Sequence, residues 1–275
     1  MSELFARGFF RVLVTLKDYL PDIVVGGGWA PFLYYRYMVG NKEHQTVFTR
    51  DIDLMVGTRL PEIGSRTIDQ LLVEAGMKAR FKSRDIPPLI HYEGKIEGLD
   101  IEIEFLTDQT GSKPDLVVEV QKGLHAEALR YISIIVENAM ELNIDDVELC
   151  GADTPITVRV PTPAAFIFQK GLAFPRRRDK IKAGKDLYYI FDILAGIPEI
   201  RDNIDADFAV FSETLPKWLR TFYRNLAECF ESADAEGPHQ VVEQRPAGAF
   251  PNLDDDQLRQ YAYFTIDQFL KAIVS

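Results

Sequence analysis

The sequence predicts an α+β fold followed by a helical domain, and three observations carry that expectation. Short apolar runs bounded by glycine and charge, such as Asp22-Ile-Val-Val-Gly and Leu99-Asp-Ile-Glu-Ile-Glu-Phe-Leu, alternate with helical periodicities over roughly the first 160 residues. Pro161-Thr-Pro163 then breaks the pattern, and from Ala164 onward strand signals fade while helical spacing persists. The length of 275 residues suits one large domain or two modest ones, here divided as 1–160 and 161–275.

In chain order, Leu4, Phe5, Phe9, Val12, Leu13, Leu16 and Leu20 fall at helical spacing, which predicts an amphipathic helix ending before Pro21. Residues 22–26 read as a short buried strand, broken by Gly26-Gly27-Gly28. Residues 29–39 are apolar and aromatic and read as a helix, and 40–45 as a polar loop. Residues 50–56 alternate and predict a second strand, closed by Gly57; residues 68–75 suit a helix capped by Gly76. Residues 89–93 and 99–106 flank a glycine-containing turn and predict a hairpin, and 117–120 another strand. Residues 129–142 have helical spacing, while 147–150 and 156–160 read as strands around the turn at Gly151. Beyond the prolines, 164–174, 186–194, 212–230 and 256–273 are expected helices, and 232–251 a surface loop.

Composition narrows the function. Hydrophobic residues at 47% and charged residues at 27% are ordinary for a globular chain. Thirty-one basic against 42 acidic residues leave a net charge of −11, which argues against a broad nucleic-acid coat but allows a local basic patch. Cys150 and Cys229 form neither a disulfide framework nor a zinc spacing, and as reduced, buried thiols they point to the cytoplasm. His44, His91, His125 and His239 are scattered. No apolar run reaches the roughly 18 residues of a membrane span, and the N-terminus lacks the apolar core of a signal peptide.

The chemistry concentrates in two places. Asp51 and Asp53 lie two apart on an expected strand, so their carboxylates leave the same face, with Cα atoms about 6.5–7 Å apart. Such a pair can converge on a hard cation such as Mg²⁺, although a lone Asp-x-Asp is more often a solvated edge. The strand that ends in Gly26-Gly27-Gly28 and enters a helix offers bare backbone N–H groups to a phosphate; the plainer reading is a tight turn needing positive φ. It is neither a Walker loop nor a Rossmann fingerprint. Asp100, Glu102 and Glu104 share one face of a later strand, any of which can supply a third carboxylate; a turn at Glu97-Gly98 favours Glu102.

Strand, Gly-Gly, helix, then Asp-x-Asp and a later acid resemble the DNA polymerase β-type nucleotidyltransferase superfamily. The words Gly27-Gly28-Trp29-Ala30 and Thr49-Arg-Asp51-Ile-Asp53-Leu resemble the aminoglycoside and lincosamide nucleotidyltransferases and the AbiEii-type toxin nucleotidyltransferases. The resemblance covers residues 20–110, with about ten residues more than compact versions around 38–48. It implies a nucleotidyltransferase-type mixed sheet flanked by helices, with a C-terminal helical domain. It further implies Mg²⁺ ions held by Asp51, Asp53 and Glu102, and NTP phosphates cradled by Gly27 and Gly28. The nucleoside monophosphate would pass to a hydroxyl acceptor with release of pyrophosphate. Lys170, the basic stretch 176–185 and Asp186 echo the AbiEii type, which implies Lys170 on triphosphate with Asp186 as a buttress; helix capping is the plain role for Asp186. The acceptor is left open between a small molecule and a tRNA-like RNA. A non-catalytic nucleotide-binding protein of the same fold is the alternative.

Overall fold

The computed structural model describes residues 3–47, 49–81, 89–111 and 116–273. It divides the chain into two compact units, one of Met1–Leu33 and Phe48–Thr162, the other of Tyr34–Val47 and Pro163–Ser275.

The first unit is a mixed sheet with helices. Helix α1 (Glu3–Thr15) buries Phe9, Phe10, Val12 and Leu13. It stops short of the expected Leu20 because the amide of Leu16 splits between the carbonyls of Val12 and Leu13, both at 3.1 Å. This tightening leads into a 3₁₀ turn, Lys17–Asp22, that contains Pro21. Then follow β1 (Ile23–Val25), the glycine turn, α2 (Trp29–Leu33), β2 (Asp51–Val56), α3 (Ile68–Glu74), β3 (Lys78–Phe81), β4 (Ile90–Ile96) and β5 (Leu99–Asp108). After them come β6 (Val117–Gln121), β7 (Leu124–Leu129), α4 (Ile132–Glu137), β8 (Ala139–Ile144), α5 (Val147–Cys150) and β9 (Ile156–Pro161). The main path of the sheet runs β3-β4-β5-β2-β1-β9-β8, with β7 branching from β5 and β6 pairing β7. Strands β2 and β5 are parallel; β1–β2 and β4–β5 are antiparallel. The α+β mixed sheet flanked by helices is therefore present, and the 4–5 hairpin turns at Glu97 and Gly98, both with positive φ.

Residues 129–142 do not form one helix. Tyr131 takes a left-handed conformation between β7 and α4, and Asn138 ends α4 by donating its side-chain amide to the Ile134 carbonyl at 2.9 Å. Residues beyond it pair with β9 from Ala139↔Pro161 to Ile144↔Ile156. Segment 147–150 is the helical turn α5, not a strand, because Asp146 accepts from the Leu149 amide and Gly151 closes the turn at φ +60°.

In the second unit, the expected helix 29–39 changes character: Tyr34–Met38 is a π-helical turn, closed by a bond from the Val39 amide to the Tyr34 carbonyl. Residues 34–47, which include the expected insertion around 38–48 except Phe48, are held to helix α7 (Lys180–Gly196), which follows α6 (Pro163–Ala173); Phe48 lies outside the described residues. The Tyr35 hydroxyl donates to the Asp192 carbonyl at 2.7 Å, the Tyr35 ring stacks on His44, and His44 Nε2 lies 3.1 Å from both carboxylate oxygens of Asp192. Burial pushes the Asp192 carboxyl up, and its hydrogen bond with His44 opposes that shift.

Helices α8 (Arg201–Thr214), α9 (Pro216–Cys229), α10 (Glu236–Gln244) and α11 (Asp255–Ala272) complete the unit. The expected helix 212–230 is two helices, because Pro216 lacks the amide that would continue α8 and instead opens α9. Segment 232–251 contains α10, with Pro238 accommodated in its first turn. Phe168, Phe208, Phe211, Phe222 and Phe269 form the aromatic centre, with ring centroids such as Phe168–Phe211 and Phe208–Phe269 at 5.0 Å.

Cys150 is buried, and burial beside Glu236 pushes the half-buried Cys229 thiol up to about 12. Native protein at pH 8 is therefore expected to leave both thiols unmodified by a disulfide reagent, with two titrating in denaturant; rapid labelling of Cys229 in the native state would contradict the placement.

Candidate active site

The first unit positions its carboxylates through strand register. In β2, Ile52, Leu54 and Val56 are buried to 1% exposure or less, so Asp51 and Asp53 face the opposite side. Ile101, Ile103 and Phe105 of β5 are likewise buried, against helix α1, where Gly8 allows the helix backbone close to Ile101. Parallel pairing sets Asp51 beside Glu102 and Asp53 beside Glu104, so four carboxylates form a two-by-two array on one face. Asp100 lies one step outside, on the exposed hairpin end facing Lys95.

The glycine turn meets this array directly. The Gly26 amide donates to the Asp53 carbonyl at 2.9 Å, which stitches the turn to β2. Gly27 has φ +56°, and a Cβ there would sit 2.1 Å from Asp53 Oδ2. Only glycine fits both requirements, so the positive-φ turn and the carboxylate site are one feature. Gly28 is buried in the same turn. Trp29 then donates its indole N–H to the Asp51 carbonyl at 3.1 Å and stacks on Phe9, ring centroids 4.0 Å apart. Its place is structural, and it fixes where β2 begins. Further along the same face Met55 and Leu106 pack with Val24 beneath Ile132 and Ile135 of α4, so the acidic array stops where that helix covers the sheet.

Lys170 and Asp186 come together in the second unit. Lys170 Nζ lies 2.7 Å from Asp186 Oδ1, with side chains 9% and 3% exposed, and Arg177 Nε donates to the other oxygen at 2.9 Å. The ammonium also sits over the rings of Phe166 and Tyr189. Asp186 is not a helix cap: α7 begins at Lys180, capped by Asp179, and runs through Gly184.

Strand β3 went unread in the sequence, and with it Lys78 and Arg80, which share the carboxylate face. The alternation Lys78-Ala-Arg-Phe81 beside Gly76 was the available signal. His91 lies 3.8 Å from Glu102 and 3.9 Å from Glu93.

Among the described residues no three His, Cys, Asp or Glu side chains are grouped closely enough to hold an ion by themselves. The donors on the array are carboxylate oxygens, which suit a hard cation, and Mg²⁺ is ordinarily held by one or two carboxylates together with substrate phosphates rather than by an all-protein cage. The array thus fits magnesium carried in with a nucleotide.

A family model described as nucleotidyltransferase matches residues 10–207, most of the chain. The chain belongs to this nucleotidyltransferase family. It is accordingly a transferase of phosphorus-containing groups that moves nucleotidyl units. No curated protein matches the chain. Among the described residues no helix of this nucleotidyltransferase is long and apolar enough to cross a membrane.

Two outcomes test the geometry. Gly27→Ala is expected to lower stability by at least ~1–2 kcal/mol from the left-handed backbone alone, read by urea unfolding, because the new Cβ also displaces the Asp53 carboxylate. Asp186→Ala is expected to cost about 3–5 kcal/mol by leaving the Lys170 ammonium buried and unpaired, and Lys170→Met in the same chain to recover much of that loss; additive losses would contradict the pairing.

Proposed function

We propose that this nucleotidyltransferase moves a nucleoside monophosphate from an NTP to a hydroxyl acceptor and releases pyrophosphate. The observation that supports it is the register of β2 with β5 beside Gly27, which gathers carboxylates from two strands next to the side-chain-free backbone of a tight turn. Asp51 and Asp53 would hold Mg²⁺ with the triphosphate. Glu102, beside Asp51, is the proposed third carboxylate, and Glu104, beside Asp53, is its competitor. Bound magnesium supplies the positive charge that offsets charge building on the phosphate oxygens and lowers the pKa of the attacking hydroxyl.

The chain's own residues orient and bind. Gly27 and Gly28 present backbone to the phosphates without a side chain in the way. Asp53 is anchored through its carbonyl by the Gly26 amide, and Asp51 through its carbonyl by Trp29, so the two carboxylates are placed before substrate arrives. The nucleotide-binding role of Lys170 and Asp186, and the kinship to aminoglycoside, lincosamide and AbiEii-type enzymes, belong to the same proposal.

The test is transfer from α-labelled NTPs to a cell-extract acceptor pool. Asp51→Asn and Asp53→Asn are expected to lower the rate by roughly 10²–10³-fold each, one of Glu102→Gln and Glu104→Gln to match them, and Asp100→Asn to stay near wild type. Transfer that needs no divalent ion and ignores Asp51 and Asp53 would overturn the reading.

A further inference from the structure

The carboxylate array is one end of a longer polar face. Register carries a single row across four strands: Lys78 on β3 pairs with Glu93 on β4, Glu93 with Glu102 on β5, and Glu102 with Asp51 on β2. A second row begins with Arg80 opposite His91. The residues between them, such as Tyr92 and Ile103, are fully buried on the other side. Charge therefore changes along the face, from acids over β2 and β5 to cations on the edge strand β3, whose four residues are all exposed.

A cleft of about 670 Å³ lies over this face, lined by Asp51 and Glu102 at one end and by Arg50, Lys78, Arg80 and Lys95 among its walls. Arg80 pairs with Glu93, and its hydrogen bond holds that carboxyl below the usual carboxylate range; Lys95 lies 4.0 Å from Asp100. Once a divalent ion offsets Asp51 and Glu102, Arg50 and Lys78 leave the cleft with surplus positive charge. From Asp51 to Lys78 is three strand spacings, about 14 Å. That span and volume suit a small molecule, and the protein's net charge of −11 disfavours a long polyanion.

Resting on the nucleotidyl-transfer reading, we propose that the acceptor is a small hydroxyl compound bearing a phosphate, its phosphate held by Lys78 and Arg80 on the edge strand while its hydroxyl reaches the Asp51 end of the cleft. The acceptor oxygen forms the new bond to the α-phosphorus, the bond from that phosphorus to the bridging oxygen breaks, and pyrophosphate leaves with the electron pair. The hydroxyl proton passes to solvent. The same cations would repel a polycationic acceptor.

The full chain, with Ca²⁺ and a non-hydrolysable NTP analogue, is titrated calorimetrically with glycerol 3-phosphate, inorganic phosphate and glycerol. Saturable binding of the two phosphate probes and none of glycerol is expected. Lys78→Ala/Arg80→Ala should weaken it at least ten-fold, as should the single Lys78→Glu, which leaves the Arg80–Glu93 pair in place; thermal melting verifies folding. Nucleotide affinity is expected to be unchanged in both variants. Absent or equal binding of the three probes, or phosphate binding indifferent to both variants, overturns the proposal. Parallel loss of nucleotide affinity also overturns it, by putting the triphosphate on β3. Tighter Lys78-dependent binding of a single-stranded RNA oligomer overturns the small-molecule class. Should the wild-type chain take the phosphate probes through Lys78 and Arg80 yet bind no nucleotide, the nucleotidyl-transfer reading fails and the anion site stands.

Discussion

Parallel pairing of β2 with β5 sets Asp51 beside Glu102 and Asp53 beside Glu104, and like charges held side by side on a sheet repel. The fold accepts that repulsion because the opposite faces of both strands are committed to the core. Ile52, Leu54, Ile103 and Phe105 are almost wholly buried, so a one-residue slip would bury four carboxylates and expose four large apolar side chains. Apolar burial on one side of the sheet thus enforces electrostatic tension on the other, which the proposed divalent cation with its nucleotide would relieve.

The surroundings support this constraint from three directions. Gly27 leaves room for the Asp53 carboxylate, the Trp29 indole ties the start of β2 to the helix after the turn, and α4 seals the face beyond Met55 and Leu106. None of these residues needs to touch a reacting atom. Each fixes where the carboxylates stand, which is how a preorganised site avoids reorganisation during the reaction. In the second unit Lys170, Asp186 and Arg177 are three charges held by one another and by aromatic rings.

Much of this was legible in the sequence where signals were local. Period-two alternation gave β2, β4 and β5, and Asp-x-Asp gave the face of Asp51 and Asp53. The third carboxylate was not decidable among Asp100, Glu102 and Glu104, because alternation gives a face and only cross-strand register gives a neighbour; register sets Glu102 beside Asp51 and Glu104 beside Asp53. Segment 129–142 misled because Ile132, Ile134 and Ile135 are spaced for a helix yet lie in a single short one, ended by Asn138 before β8. Residues 29–39 read as one helix and the insertion around 38–48 as a loop, since nothing local reveals that Tyr35 and His44 grip Asp192, some 150 positions away. The family match over residues 10–207 agrees with the Gly-Gly and Asp-x-Asp pattern that the sequence presented first.

In the proposed reading, cation and triphosphate sit where β2 and β5 meet the glycine turn. The most direct measurement is paramagnetic broadening of backbone amide signals by Mn²⁺ bound with a non-hydrolysable NTP analogue. Selective loss of signals from Gly27, Gly28, residues 51–53 and residues 102–104, dependent on the nucleotide, is expected. Broadening centred elsewhere in the chain, or none on adding both ion and nucleotide, would contradict it.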